Sequence, residues 1–171
     1  SEVKKKISFS LSMKKIYLTN SPAQTKKLGT ALAQKIFKEP LRRQAVILGL
    51  KGNLGGGKTT FIQGFAKGLG IKEKVNSPTF VIFRKYKIPF GPELRVEGQN
   101  TRYKIQSFYH IDCYRINSRE LMDLDFKEII SEPKNIIAIE WADKIEKILP
   151  KKIIRIRFKF ISQKTREINI C

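Results

Sequence analysis

The sequence predicts an α/β domain built on a mixed sheet, and three observations carry that reading. A continuous apolar run of strand length, residues 45–50 (AVILGL), stands directly before a glycine-rich turn and an amphipathic helix. A second apolar run, residues 136–141 (IIAIEW), returns after more helical sequence. The chain then closes in two segments, 153–160 and 166–170, that read as a hairpin. Unbroken apolar runs of this length suit strands buried on both faces. Strand–helix alternation followed by antiparallel elements gives an α/β domain with a mixed sheet. The 171 residues suit a single domain over 1–171 with one decorated loop.

The elements follow in chain order. Residues 1–15 read as a basic N-terminal extension containing Lys4–Lys6. Its opening lacks the apolar h-region of about 7–15 residues and the small-residue cleavage site of a signal peptide, so the expectation is an uncleaved chain. In residues 22–38, Leu28, Leu32 and Ile36 recur every four residues, one apolar helical face, with Ser21 as N-cap before Pro22. Pro40 and Arg42–Arg43 are expected to end this helix. After the glycine turn, Phe61, Phe65 and Leu69 mark a second helix, closed by Gly70. Residues 80–86 and 105–115 read as strands. The Pro-, Gly- and charge-rich stretch between them reads as a loop insertion or extended hairpin over 88–104. Ser118 begins SRELMDLDFKEII, read as one short helix with acids near its N-cap.

Charge narrows the function without deciding it. The chain holds 35 Lys plus Arg against 15 Asp plus Glu, a formal charge of +20. Such an excess suits nucleic acid or another anionic surface. Only 10 of the 35 are Arg, however, and Lys solubilises surfaces in general. Residues 110–146 run the other way, with 9 acids against 5 bases. An acidic block in a basic chain points to a site or a partner face. No apolar run approaches the roughly 20 residues that span a bilayer, so a soluble, cytoplasmic protein is expected. Cys113 and Cys171 show no metal-ligand spacing, and His110 is the single histidine. That excludes a His-pair metal site and most Ser–His triads.

Residues Gly52-Asn53-Leu54-Gly55-Gly56-Gly57-Lys58-Thr59 fit GxxxxGK[ST]. Glycines let backbone amides approach phosphate oxygens with no Cβ in the way. The helix starting near Lys58 adds free N–H groups and its positive dipole end. Lys58 is expected to reach the β- and γ-phosphates, and the Thr59 hydroxyl to ligate Mg²⁺. An apolar strand before the motif and an amphipathic helix after it supply the required context. The expected class is therefore a P-loop NTPase-like three-layer fold with a mixed, largely parallel central sheet.

Such a loop needs an acid near the metal, usually at the end of a second buried strand. Glu140, ending IIAIE, stands where that acid belongs; an ordinary strand-end carboxylate is the alternative. In FYHIDCYR, alternation puts Tyr109, Ile111 and Cys113 on one face and His110, Asp112 and Tyr114 on the other. On pattern alone, Asp112 is either a water-orienting acid or a solvated strand residue.

Taken together and in this order, the motifs resemble those of the TsaE (YjeE) family, small ATPases of threonylcarbamoyladenosine tRNA modification. The resemblance covers about residues 16–150. Residues 25–33 (TKKLGTALA) look like the family's N-terminal helix, with Thr25 matching a residue near the adenine. GNLGGGKTT matches its P-loop. Ser77-Pro78-Thr79-Phe80 matches a switch-like SPT[FY] segment, in which Thr79 would approach the γ-phosphate. His110-Ile111-Asp112-Cys113-Tyr114-Arg115 matches H-x-D-x-Y-R, and Glu140-Trp141 the EW pair closing the Walker B strand. Glu120-Leu121 and Glu128 fit the acidic helix between them, and Arg166 matches a basic residue near the family's C-terminus. Three features depart from the pattern: Asn53 replaces a usual Asp, Gly56 a usual Ala, and the 88–104 insertion is long.

The resemblance implies an ATPase using ATP and Mg²⁺. Lys58, Thr79 and Asp112 would be catalytic, and Thr59 and Glu140 would hold the metal. Thr25, Asn53, Leu54, Gly55, Gly56, Gly57, Lys58, Thr59, Thr60 and Trp141 would bind nucleotide. It also implies docking on TsaD-type and TsaB-type proteins, with tRNA reading ANN codons reached indirectly through that complex and no membrane involved. Two other readings stand beside it. A small-molecule P-loop kinase would need an arginine-bearing lid, which the sequence does not show. A charge-driven RNA-binding module would need an RNA-binding signature, and none is present.

Overall fold

The computed structural model describes residues 14–38, 41–77, 82–91, 93–96 and 102–171. The elements are β1 (Lys15–Thr19), α1 (Pro22–Phe37), β2 (Leu41–Arg42), β3 (Val46–Lys51), α2 (Lys58–Gly68), β4 (Phe83–Lys87), β5 (Glu93–Val96) and β6 (Arg102–Lys104). They continue as β7 (Ser107–Asp112), α3 (Ser118–Met122), α4 (Phe126–Ser131), β8 (Asn135–Glu140), a 3-10 helix (Ala142–Ile148), β9 (Ile154–Phe160) and β10 (Arg166–Ile170).

Seven strands form the main sheet in the order β1-β10-β9-β3-β8-β7-β4. The central four, β9-β3-β8-β7, run parallel. The flanks are antiparallel, β10 and β1 on one side and β4 on the other. The closing hairpin read from the sequence is thus β9–β10. Each central apolar run divides by alternation between two cores. Leu48, Leu50, Phe108, Ile136 and Ala138 face α1 and α2. Ile47, Tyr109, Ile111, Ile137 and Ile139 face α3, α4 and the 3-10 helix through Leu121, Phe126 and Ile145. Two buried faces explain why these strands lack polar alternation.

Helix α1 begins as its sequence dictates. Ser21 Oγ accepts from Gln24 N at 3.2 Å, and Gln24 Oε1 accepts from Asn20 N at 2.7 Å. Against α2 it packs through glycine on both sides. A Cβ on Gly29 would lie 2.3 Å from the Phe61 carbonyl oxygen, and one on Gly64 would lie 2.0 Å from that of Lys26. The closeness also lets the Thr30 side chain donate through Oγ1 to Gly64 O at 2.7 Å, a side-chain-to-backbone bond across the pair.

The structure differs from the sequence expectations in three places. Strand β1 was not expected, because its apolar Ile16 and Leu18 point to solvent while Tyr17 and Thr19 turn inward. A strand running Lys15–Thr19 with that inverted pattern carries no core-facing signature. The stretch expected to end α1 forms β2, which pairs parallel with β5 in a second, three-stranded sheet. In the stretch read as a loop insertion or extended hairpin, β5 and β6 pair antiparallel, with 92 and 97–101 outside the described residues, as are 1–13 of the N-terminal extension. The single helix from Ser118 is two: its N-cap is Asn117, in a full capping box with Glu120, and Asp125 breaks the run with φ of 56°.

Cys113 is buried, which pushes its thiol up to about 12, whereas Cys171 is exposed. A thiol-reactive chromophore at neutral pH is expected to label one cysteine per native chain and two after denaturation. Gly64→Ala, which forces the α1–α2 backbones apart, is expected to cost about 1–3 kcal/mol in denaturant unfolding.

Candidate functional site

The C-terminal end of β3 runs into the glycine loop, and the loop into α2. Gly57 caps α2 with φ of 96°, a left-handed conformation in which an L side chain is strained. No side chain caps the helix, so its first amides are left to whatever enters the loop. Gly56 N donates to Asn53 O at 3.0 Å, closing the turn.

Lys58 is 5 % exposed. Its Nζ donates to the carbonyls of Gly52 (2.6 Å) and Asn53 (3.1 Å), and lies 4.0 Å from the centre of the Trp141 ring. Burial lowers the Lys58 pKa, and the negative charges of Glu140, Asp112 and Asp143 oppose that shift. A buried ammonium held by two neutral carbonyls and a ring face is well disposed toward an anionic ligand.

The acids arrive by strand register. Parallel pairing of β7 with β8 sets Asp112 opposite Glu140 and His110 opposite Ala138. On β3, Leu50 is opposite Glu140, so these side chains share the face covered by α2. Thr59 Oγ1, on the first turn of α2, donates to Glu140 Oε1 and Oε2 at 2.9 and 3.2 Å. His110 Nε2 lies 2.9 Å from Glu140 Oε1. Asp112 Oδ2 accepts from Ser77 Oγ at 2.7 Å, and its Oδ1 from Tyr114 N at 2.9 Å.

Trp141 leaves β8 with φ of 59°, uncommon and strained for a bulky residue. That turn brings its ring over Lys58 and within 5.0 Å of the Tyr114 ring centre. Lys144 spans the aromatic pair, its Nζ 4.7 Å from the Tyr114 ring centre and 5.7 Å from that of Trp141, and donates to Tyr114 O.

On the opposite wall, Thr25 Oγ1 is 2.8 Å from Thr19 Oγ1 beneath Gly57. Arg166, from β10, donates through Nε to Gly55 O (3.2 Å) and through Nη1 to Ser162 O (2.6 Å) and Thr165 O (2.9 Å). Its guanidinium lies 4.5 Å from the Phe160 ring centre. Arg166 thereby ties the loop to the β9–β10 turn.

Most of the loop, acidic and aromatic groups line one cavity of about 510 Å³. Thr25, Leu54, Gly55, Gly56, Gly57, Lys58, Thr59, Thr60, Asp112, Glu140 and Trp141 all stand on its wall. Asn53 acts through its carbonyl, which accepts from Gly56 N and Lys58 Nζ. Thr79, with Pro78 and Phe80, lies outside the described residues; their neighbour Ser77 lines the cavity. The structure adds Ser21, Gln163, Lys164, Tyr114, Arg115 and Arg166. Tyr114 and Arg115 were legible within the H-x-D-x-Y-R segment and Arg166 as the basic residue matched near the family's C-terminus, but nothing in a strand pattern places Arg166 against a loop 111 residues away.

The Thr59 hydroxyl and Glu140 carboxylate are hard oxygen donors. Mg²⁺ is bound by such a pair together with substrate phosphates rather than by an all-protein cage. Among the described residues no group of three or more His, Cys, Asp or Glu could hold a metal. No helix among them is long and apolar enough to cross a membrane.

Residues 19–168 match the family model described as threonylcarbamoyl adenosine biosynthesis protein TsaE. The tRNA threonylcarbamoyladenosine biosynthesis protein TsaE of Bacillus subtilis is 36 % identical over 150 residues, 88 % of this chain and 80 % of its own. That of Treponema pallidum is 29 % identical over 154 residues, covering 90 % and 97 %. The crystal structure of Bacillus subtilis YdiB superposes with a TM-score of 0.63 at 28 % identity, covering 92 % of this chain and 84 % of that one. The fold is P-loop NTPase-like, and the chain belongs to the TsaE family of threonylcarbamoyladenosine biosynthesis.

Proposed function

We propose that the protein binds ATP with Mg²⁺ and hydrolyses it, supporting a complex of TsaD-type and TsaB-type partners that forms threonylcarbamoyladenosine in tRNAs reading ANN codons. The transfer itself belongs to a partner, and tRNA is reached through the complex, in the cytoplasm. One observation carries the reading: the Thr59 hydroxyl and Glu140 carboxylate meet at 2.9 Å, beside Asp112 and at the head of the glycine loop that holds Lys58.

Each group has a task that follows from its position. Loop amides and the uncapped start of α2 bind phosphate oxygens. Lys58 exchanges its two carbonyl acceptors for phosphate oxygens, trading neutral partners for charged ones and strengthening each bond. Thr59 and Glu140 hold Mg²⁺, which when bound neutralises charge developing on the phosphoryl oxygens. Asp112, held by Ser77 and by the Tyr114 amide, accepts a hydrogen bond from the attacking water and fixes its direction. Thr79 senses the γ-phosphate. Thr25 and Trp141 bound the nucleotide from opposite walls, and Trp141 must shift as Lys58 turns toward phosphate.

The test is ATP turnover with no added acceptor, which a small-molecule kinase does not support. Lys58→Ala is expected to abolish nucleotide binding, and Asp112→Asn to retain binding while slowing turnover by about 100-fold or more. Wild-type turnover in the Lys58→Ala protein would refute the reading. Trp141 is the single tryptophan, so its emission is expected to change on addition of ATP or ADP to wild type and to stay constant in Lys58→Ala. Co-purification with TsaD- and TsaB-type proteins is expected to depend on ATP.

A further inference from the structure

We infer that His110 is the positioning residue of Glu140, acting through Nε2 alone. The inference rests on the ATPase reading in giving Glu140 a metal to face. The geometry behind it belongs to the free protein.

His110 lies inside β7 and is fully buried. Its register partner on β8 is Ala138, and Glu140 stands two residues farther along the same face. Diagonal neighbours of this kind are within reach of long or aromatic side chains. The small side chain of Ala138 leaves room for the imidazole to lean toward Glu140, and Nε2 reaches Oε1 at 2.9 Å. The other ring nitrogen, Nδ1, is buried with no hydrogen-bond partner among the described residues.

That asymmetry fixes the tautomer. A hydrogen on Nδ1 would be a buried donor facing no acceptor, while Nε2 would stand bare against a carboxylate oxygen that can only accept. With the hydrogen on Nε2, the ring donates to Oε1. Oε1 then takes two short donor contacts, from His110 and from Thr59, whereas Oε2 takes only the longer 3.2 Å contact to the same hydroxyl. Oε2 is the less committed oxygen. His110 thus holds the carboxylate in one rotamer from below and keeps one oxygen available at the cavity. The Thr59 hydroxyl spends its hydrogen on Glu140 and retains its lone pairs. Partners of this kind behind a metal ligand are typically worth about 10–100-fold in metal affinity.

Simple filling of the core is the competing explanation, and two substitutions separate them. A Gln amide nitrogen can occupy the place of Nε2, whereas an Asn amide reaches only that of Nδ1. His110→Asn is expected to weaken Mg²⁺-supported ADP affinity by about 10–100-fold while leaving Mg²⁺-free ADP affinity unchanged. His110→Gln is expected to recover most of the loss. Equal behaviour of the two variants would overturn the inference. The chain has one histidine, so its ¹⁵N spectrum needs no assignment. In the free wild-type protein, a hydrogen on Nε2 and a bare Nδ1 support the inference, and a hydrogen on Nδ1 overturns it. The spectrum decides even where the variants fail to fold. A wild type without Mg²⁺-supported ADP binding would refute the ATPase reading, with the spectrum still deciding for His110.

Discussion

The parallel pairing of β7 with β8 is the constraint on which the site depends. Parallel strands hold register over their whole length, and a slip of one residue would send every side chain to the opposite face. Here register alone puts Asp112 beside Glu140 and His110 within a diagonal step of it. Thr59 then joins Glu140 from the first turn of α2, so the sheet and the loop-bearing helix meet at one carboxylate. The bond from Cys113 N to Glu140 O, at 3.0 Å, holds the two strand ends together just where the acids diverge from the ladder.

Around that junction the protein keeps charges in partly dry surroundings. Lys58 is the costly member, since burial works against its charge, and the three nearby acids reduce that cost without forming a close ion pair with it. Its bonds run to loop carbonyls instead. The loop therefore carries its cation in a weakly partnered form, with the acids kept for Thr59, Ser77 and His110. The overall +20 takes little part in this. The functional charge balance is local, within the acidic stretch 110–146 and a single lysine.

Much of this was legible in the sequence because the responsible signals are local. The apolar runs of β3 and β8, the four-residue spacing of α1 and α2, and the glycine loop between them each declare themselves within a dozen residues. Glu140 could be singled out because it ends an apolar strand. What stayed hidden depends on distant partners. Strand β1 shows its apolar residues to solvent, and Gly29 and Gly64 look like weak helix positions until the two backbones are seen to touch. Arg166 could be matched by resemblance, but its contact with Gly55 could not, because it sits in an ordinary alternating strand. The break at Asp125 escaped because nothing in SRELMDLDFKEII forbids a continuous helix. The separate roles of the two nitrogens of His110 are invisible without the register.

The Arg166 bridge also bears on the order of folding. It closes a span of 111 residues, from Gly55 in the loop to a strand near the end of the chain. Contacts that distant are entropically expensive until the intervening elements are already in place, and they form late. Phe158, which packs against the loop glycines, comes from the neighbouring strand and arrives no earlier. An intermediate holding β3, α1 and α2 but lacking the β9–β10 hairpin would carry the complete glycine motif with nothing to brace it. The brace of the glycine loop is thus supplied by the C-terminal hairpin, through Arg166 at Gly55 and Phe158 at Gly52, and not by the motif's own strand and helix.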